Sequence, residues 1–279
     1  MENKGAKISI QGYRGCFHEQ AAKQFWGVDT EMICCDTFKE VVTIAGNKTQ
    51  SNGGTMAIEN SIAGSILPNY NLLKKSNLRI IGEVYLTIKQ NLMALPGIRL
   101  EDIREVHSHP MALLQCGDFL DKYNWKLVES EDTALSAQKI SEHKSKTIAA
   151  IASSVAADIY GLDILAPEIN TMKKNYTRFL MLKRADQVTE VENANKASIY
   201  FYTDHTKGSL AKVLTKIAEN DVNLSKLQSF PIPGTNWEYS FHADLEFGNL
   251  DIFHKTLSSI VPLTRNLKIY GVYKKGKTF

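Results

Sequence analysis

The sequence predicts an α/β protein in two parts, a larger strand-helix part followed by a small βαββαβ part. Three observations carry this. Between residues 7 and 182, short apolar runs alternate with amphipathic stretches. The turns between them are built from small hydroxyl and amide residues. Residues 185–196 (ADQVTEVENANK) are polar and unpatterned, and beyond them the order of elements changes.

In the first part, residues 7–10 read as a strand and 17–25 as a helix ended by Gly27. Residues 55–58 are a second strand, running into Glu59-Asn60-Ser61. Ser65 is expected to cap the next helix, with Pro68 in its first turn, where proline is tolerated. Residues 79–95 are extended in character and close on Pro96-Gly97. Residues 105–107 and 126–129 follow as strands, each leading to a helix, over 110–123 and 133–142. Ser108 is placed as a cap before Pro110. Residues 147–151 repeat the scheme, Ser153 caps a helix that stops at Gly161, and 176–182 return to strand. In the second part, 197–203 is a strand and 209–220 a helix. Residues 224–232 and 238–247 form a hairpin around Pro233-Gly234, 250–261 is a helix and 267–273 the last strand.

The turns read GYRG, ENSIAGS, HSHP, SEDT, ASS and NYT. In open α/β sheets, ligands sit outside the carboxyl ends of the strands, where helix N-termini offer unpaired N–H groups. Six turns of this kind point to a cleft for a small anion.

Composition narrows the class. The chain has 279 residues, enough for two domains, and a net charge of only +3, too slight to argue for nucleic acid or membrane. There is no apolar leader at the start and no apolar run of membrane-spanning length. The four cysteines show no CxxC spacing, so the expectation is a cytoplasmic protein with reduced thiols. His107 and His109 flank Ser108 without a carboxylate or Cys at ligand spacing, and neither metal nor cofactor is expected.

At this point the motifs resemble a known family, the prephenate dehydratases. GYRGCFHEQAA, AIENSIAGSI, SHPMALLQC, DTALSAQ, AAIASSVAADIYGL and NYTRFLML occur in the family's order over nearly all of residues 7–183. The tail resembles the ACT regulatory domain, with Gly208-Ser209-Leu210 and LQSFP followed by Trp237-Glu238-Tyr239. The resemblance implies a two-lobed catalytic domain of the type II periplasmic-binding-protein kind over 1–184. Its crossovers are expected near 83–95 and 166–173, with a linker over 185–196 and a ferredoxin-like ACT domain over 197–279.

The implied reaction is decarboxylating dehydration of prephenate to phenylpyruvate. Aromatisation drives it, so general-acid help and positioning suffice and no covalent intermediate is needed. The resemblance nominates Thr177 as donor to the leaving hydroxyl, with Asn60, Ser61 and Gln115 beside it. Glu59, Ser108, Thr133, Arg178, Phe179 and Gly12 are expected at the substrate, with Arg178 pairing either a substrate carboxylate or Glu59. Neutral donors suit the reaction, because a strong cation would stabilise the carboxylate that must be lost.

Several residues depart from the family's pattern. Cys16 stands where Thr or Ser is common, and Thr171 where an acidic residue often lies. Gln228 and Phe230 replace the usual Glu and Arg of the tail motif. Phenylalanine binding is therefore expected to be altered, lost, or carried by Gly208, Leu210, Ser229, Trp237 and Glu238. The rivals are an arogenate dehydratase, whose substrate bears an amine in place of the ketone, and a non-catalytic small-molecule sensor. Pairing of the small domains implies a homodimer or homotetramer.

Overall fold

The structure, a computed structural model, describes residues 5–189 and 191–277. In chain order the elements begin β1 (Lys7–Gln11), α1 (Phe17–Trp26), β2 (Glu31–Cys35), α2 (Phe38–Ala45), β3 (Gly53–Asn60), β4 (Gly64–Ser65), α3 (Leu67–Lys75) and β5 (Leu78–Thr87). Next come β6 (Asn91–Ala94), β7 (Glu105–Ser108), α4 (Pro110–Gln115), α5 (Gly117–Leu120), β8 (Lys126–Glu129), α6 (Thr133–His143), β9 (Ile148–Ala152), α7 (Ser154–Tyr160), β10 (Asp163–Ala166) and β11 (Tyr176–Arg184). The last are β12 (Lys196–Tyr202), α8 (Ser209–Glu219), β13 (Asn223–Pro231), β14 (Tyr239–Glu246), α9 (Leu250–Ile260) and β15 (Arg265–Tyr273).

The chain divides into two compact units. One holds the residues up to Ser76 together with Val84–Met181; the other holds Asn77–Glu83 and the residues from Leu182 onward. Two sheets organise the first unit. One has the order β2-β1-β3-β11-β5, with β4 paired to β3, and its β1 is parallel to both β2 and β3. The other runs β10-β6-β9-β7-β8, with β7 parallel to both β8 and β9. In each sheet the chain leaves a central strand, visits one neighbour and returns to the other side. That reversal opens a crevice at the strands' carboxyl ends. Apolar side chains such as Leu92, Val106, Leu113, Ala149 and Ile151 fill the core of the second sheet's layer.

The GYRG turn after β1 is held by close approach. Gly15 adopts φ +86, and a Cβ there would lie 2.9 Å from Ala156 Cα. Ser153 binds the same turn, donating its hydroxyl to the Gly15 carbonyl at 2.7 Å while capping α7 at Ala156 N.

Several elements differ from the sequence expectation for identifiable reasons. Ser65 does not cap α3. It pairs with Glu59 in β4, Ile66 precedes the helix, and proline supplies the first turn. Ser108 is the last residue of β7 rather than a cap, and His109 caps α4 by accepting Met111 N on Nδ1. The 110–123 helix breaks at Cys116 into α4 and α5. The long extended stretch is two strands, β5 and β6. NYT leads into β11, with Tyr176 and Thr177 already in the strand, rather than following a strand.

The second unit has the βαββαβ order over β12–β15, with an antiparallel sheet β13-β14-β12-β15. Its helices α8 and α9 pack on a core that includes Ile199, Phe201, Val213, Ile217, Leu245 and Phe253. Within this unit Glu83 is buried and meets Lys196 Nζ through both carboxylate oxygens, at 3.0 and 3.1 Å, and accepts Gly276 N at 3.1 Å. Among the described residues no helix is long and apolar enough to cross a membrane.

Candidate active site

The carboxyl ends of β1, β2, β3, β7 and β8 surround a cavity of about 570 Å³ within the first unit. Its apolar lining includes Phe17, Phe38, Ile66, Ile88, Met111 and Phe179, and its polar lining includes Gln11, Thr37, Asn60, Gln90, Gln115, Thr133 and Thr177. Asp36, Glu131 and Asp132 also reach it, and among the described residues no lysine or arginine does. Such a cavity suits a small cyclic molecule with an apolar ring and several oxygen functions.

One end is organised by a chain of side-chain amides with a fixed direction. Asn60 Oδ1 accepts the backbone N–H groups of Ile62 and Ala63, at 3.0 and 2.9 Å. A backbone N–H only donates, so the other end of this amide must be its NH₂ group. That group donates to Asn175 Oδ1 at 2.8 Å, to the Tyr176 carbonyl at 3.2 Å and to Thr177 Oγ1 at 3.0 Å. Asn175, fully buried, passes the direction on by donating Nδ2 to Gln115 Oε1 at 2.9 Å. Since Thr177 Oγ1 accepts from Asn60, its own hydroxyl hydrogen is free to point elsewhere, and Thr177 lines the cavity. The accepted bond polarises that O–H.

The expected residues divide by strand parity and by what their side chains already bind. Thr177 and Phe179 line the cavity from one face of β11, with Asn60, Gln115 and Thr133 across from them. Arg178 lies between Thr177 and Phe179, so the two-residue alternation of the strand turns it to the opposite face. There its guanidinium sits 6.0 Å from the Tyr85 ring centre. Ser108 is fully buried and donates to the Ile151 carbonyl at 2.7 Å, away from the cavity lining. Ser61 joins β3 to β11, accepting Tyr176 N on its hydroxyl at 2.9 Å. Glu59 lies outside the lining, in the β4 pairing. Gly12 contributes space. Its φ is +103, and a Cβ would come within 2.8 Å of Asp132 Oδ2.

Three residues in or behind the cavity wall were not singled out from the sequence. Asn175 links two expected residues from a position just before β11. Asp132 caps α6 through Oδ1, accepting Ala134 N at 2.7 Å and Leu135 N at 3.0 Å. Its burial nevertheless raises the carboxyl above the usual range. His18 faces Phe179 edge-on at 5.0 Å and Phe38 at 5.4 Å, and Nε2 accepts Ala57 N at 3.3 Å. Burial lowers its pKa to about 3, so the ring is neutral at physiological pH. Capping boxes and strand parity can be read from sequence; contacts across 115 residues cannot.

Among the described residues no group of His, Cys, Asp and Glu is arranged to hold a metal ion. In the second unit, a cavity of about 370 Å³ is lined by Thr203, Asp204, His205, Lys207, Leu210 and Tyr239, among others. Leu210 is the one residue expected at an effector that lines it. Gly208, with φ +79, caps α8 beside it, whereas Ser229, Trp237 and Glu238 lie elsewhere on β13 and the following turn.

Fold and cavity together define an α/β protein with a largely apolar crevice furnished with neutral hydrogen-bonding side chains. Comparison with known proteins gives the family. The model of the prephenate dehydratase family matches residues 8–187. The bifunctional chorismate mutase/prephenate dehydratase of Buchnera aphidicola (subsp. Acyrthosiphon pisum) is 34% identical over 98% of this chain and 72% of its own length. The Arabidopsis thaliana chloroplastic arogenate dehydratase/prephenate dehydratase 1 is also 34% identical, over 98% of this chain and 73% of its own. Among solved structures, prephenate dehydratase from Arthrobacter aurescens in complex with L-Phe superposes with a TM-score of 0.84 at 26% identity, over 96% of this chain and 90% of that one. GqqA, described as a novel type of quorum-quenching acylase, superposes with a TM-score of 0.87 at 27% identity, over 96% and 98%. The chain belongs to the prephenate dehydratase family, and its relatives so named are hydro-lyases.

Proposed function

We propose that the chain catalyses the decarboxylating dehydration of prephenate to phenylpyruvate, with Thr177 as donor to the departing ring hydroxyl. The observation that carries this is the amide network in which Asn60 donates both to Thr177 and to Asn175, and Asn175 in turn to Gln115, which leaves the Thr177 hydrogen free in the cavity. As the ring carboxylate leaves as carbon dioxide, its bonding electron pair enters the ring and the carbon–oxygen bond opposite breaks. The hydroxyl departs as water with a proton delivered through Thr177, and solvent replaces that proton. Gln115 and Thr133 orient the substrate, Phe179 packs against the ring and Gly12 leaves room for it. Glu59, Ser61, Ser108 and Arg178 support the walls rather than touch substrate. A lining without lysine or arginine among the described residues keeps the leaving carboxylate from being over-stabilised.

The catalytic part, over residues 1–184, is read as two lobes of the type II periplasmic-binding-protein kind, with crossovers near 83–95 and 166–173. Residues 185–196 are read as a linker and 197–279 as an ACT domain. The βαββαβ order and the Leu210 cavity support a regulatory site for phenylalanine there, centred on Gly208 and Leu210. Ser229, Trp237 and Glu238 would complete it from a second copy, in a homodimer or homotetramer. Free thiols at all four cysteines fit a cytoplasmic setting.

One observation favours arogenate as a second substrate. Asp36, Glu131 and Asp132 reach the cavity with no lysine or arginine among its described lining residues, and arogenate's ammonium would meet them favourably. Amide hydrolysis, suggested by the likeness to GqqA, has less support. It asks for a nucleophile beside a base. Burial pushes the thiol of Cys16, the one cysteine in the lining, well above its ordinary range, and His18 Nε2 is taken by Ala57 N. Purified protein given prephenate and arogenate in parallel tests the reading. Phenylpyruvate and carbon dioxide in equal amounts from prephenate support it, and no product from a folded sample refutes it.

A further inference from the structure

The motif CFHEQAA places a histidine in the cavity wall that the reaction described above does not use. His18 comes from α1, within the first turn after the GYRG loop, and its ring stands edge-on to Phe179. Its Nε2 accepts the backbone N–H of Ala57, which fixes the tautomer: the proton of the neutral ring is on Nδ1. No acceptor among the described residues takes that Nδ1–H, although His18 lines the cavity. A neutral donor is therefore left for a ligand, held in one orientation by a backbone bond on one side and aromatic rings on the other.

Its position along the cavity identifies what it would meet. Phe179 is two residues beyond Thr177 on the same face of β11, a separation of roughly 7 Å. If Thr177 addresses the hydroxyl at one end of a six-membered ring, the ring edge beside Phe179 lies near the opposite end. In prephenate that end carries the leaving carboxylate and the side chain with its ketone.

We propose that His18 is a substrate-binding residue whose Nδ1–H donates to the side-chain ketone oxygen, and that it sets the preference for a ketone over an amine at that point. A ketone oxygen accepts a hydrogen bond; an ammonium group cannot. The neutral ring adds no positive charge near the carboxylate that must leave, so binding is gained without slowing its loss. This rests on the prephenate dehydratase reading of the same cavity.

Two substitutions separate this role from a structural one, because the histidine nitrogens have different amide counterparts. In His18→Asn the side-chain NH₂ falls near the Nδ1 position and keeps the donor. In His18→Gln the amide oxygen reaches the Nε2 position, keeping the acceptor for Ala57 N and losing the donor. The measurement is kcat and KM for prephenate and for arogenate in wild type and both variants, with a melting curve for each. The expected result is a KM for prephenate raised about tenfold in His18→Gln, the size of one lost hydrogen bond. The ratio of prephenate to arogenate efficiency should fall by a similar factor, and His18→Asn should recover most of it. If His18→Asn is impaired and His18→Gln is not, the residue serves only to hold Ala57, and the proposal is wrong. Parallel losses for both substrates would also overturn it. A wild-type protein inactive on prephenate defeats the dehydratase reading itself, an outcome distinct from an active wild type with an unchanged His18→Gln variant.

Discussion

Asn60 donates its side-chain amide to the Thr177 hydroxyl oxygen across 3.0 Å, and two backbone N–H groups at Ile62 and Ala63 prevent that amide from turning over. The bond joins the end of β3 to the start of β11, residues 117 positions apart. It sets the one property a weakly acidic threonine needs, a hydroxyl hydrogen free to be given away. An Asn60→Asp variant tests this relationship. The carboxylate cannot donate, and it would face Asn175 Oδ1, the Tyr176 carbonyl and Thr177 Oγ1. Turnover is expected to fall at least tenfold, with stability in urea reduced by about 1–3 kcal/mol for the unmatched buried acceptors.

The relay predicts a separate effect at Asn175, which does not line the cavity and is fully buried. Asn175→Ala removes the link between Asn60 and Gln115 without touching substrate. We expect kcat to drop about tenfold, in line with one lost bond. KM should change less. Unchanged kcat in a folded variant would mean that Asn60 alone orients Thr177.

These two residues also show how far sequence reasoning reached. Thr177, Asn60, Gln115 and Thr133 were nominated through the resemblance to the prephenate dehydratases, and the structure brings them to one cavity. Asn175 did not stand out, since its partners lie 115 and 60 positions away. Arg178 was legible in principle. With Thr177 facing the cavity, the period-two alternation of a strand turns its neighbour away. The hydroxyls of Ser61 and Ser108 stand outside the cavity lining: Ser108 donates to the Ile151 carbonyl, and Ser61 accepts Tyr176 N. The unforeseen helix α2 carried its own signal. Thr37 and Glu40 form a capping box, with Glu40 N donating to Thr37 Oγ1 at 3.2 Å and Thr37 N returning to Glu40 Oε2 at 3.3 Å.

The lowered pKa of His18 has a consequence for stability against pH. In the unfolded chain a histidine takes up its proton near pH 6.5, whereas in the fold it does so only at about 3. Between those values the unfolded state binds more protons, so stability falls as pH falls through that window and is fully present above it. Denaturant midpoints measured at pH 7 and pH 5 should differ more for wild type than for His18→Gln. Equal differences would show that His18 titrates normally.

In the second unit, the pair Glu83–Lys196 is buried and doubly bonded. Lys196→Met deprives a buried carboxylate of its ammonium partner and is expected to cost about 3–5 kcal/mol. The double variant Lys196→Met with Glu83→Leu should recover most of that loss, because neither charge is then left buried. A double variant no better than the single one would mean that the pair specifies packing rather than compensating charge.

The central claim is that Thr177 delivers the hydrogen that lets the ring hydroxyl depart. The direct measurement is kcat for phenylpyruvate formation from prephenate by Thr177→Val, set against wild type and Thr177→Ser. Valine keeps the β-branched shape in a wall where Thr177 is nearly buried, so the fold should persist. The prediction is a fall in kcat of at least about 100-fold for valine, the usual worth of a positioned acid. KM should be little changed, and serine should restore most of the rate. A valine variant that turns prephenate over at the wild-type rate would contradict the account.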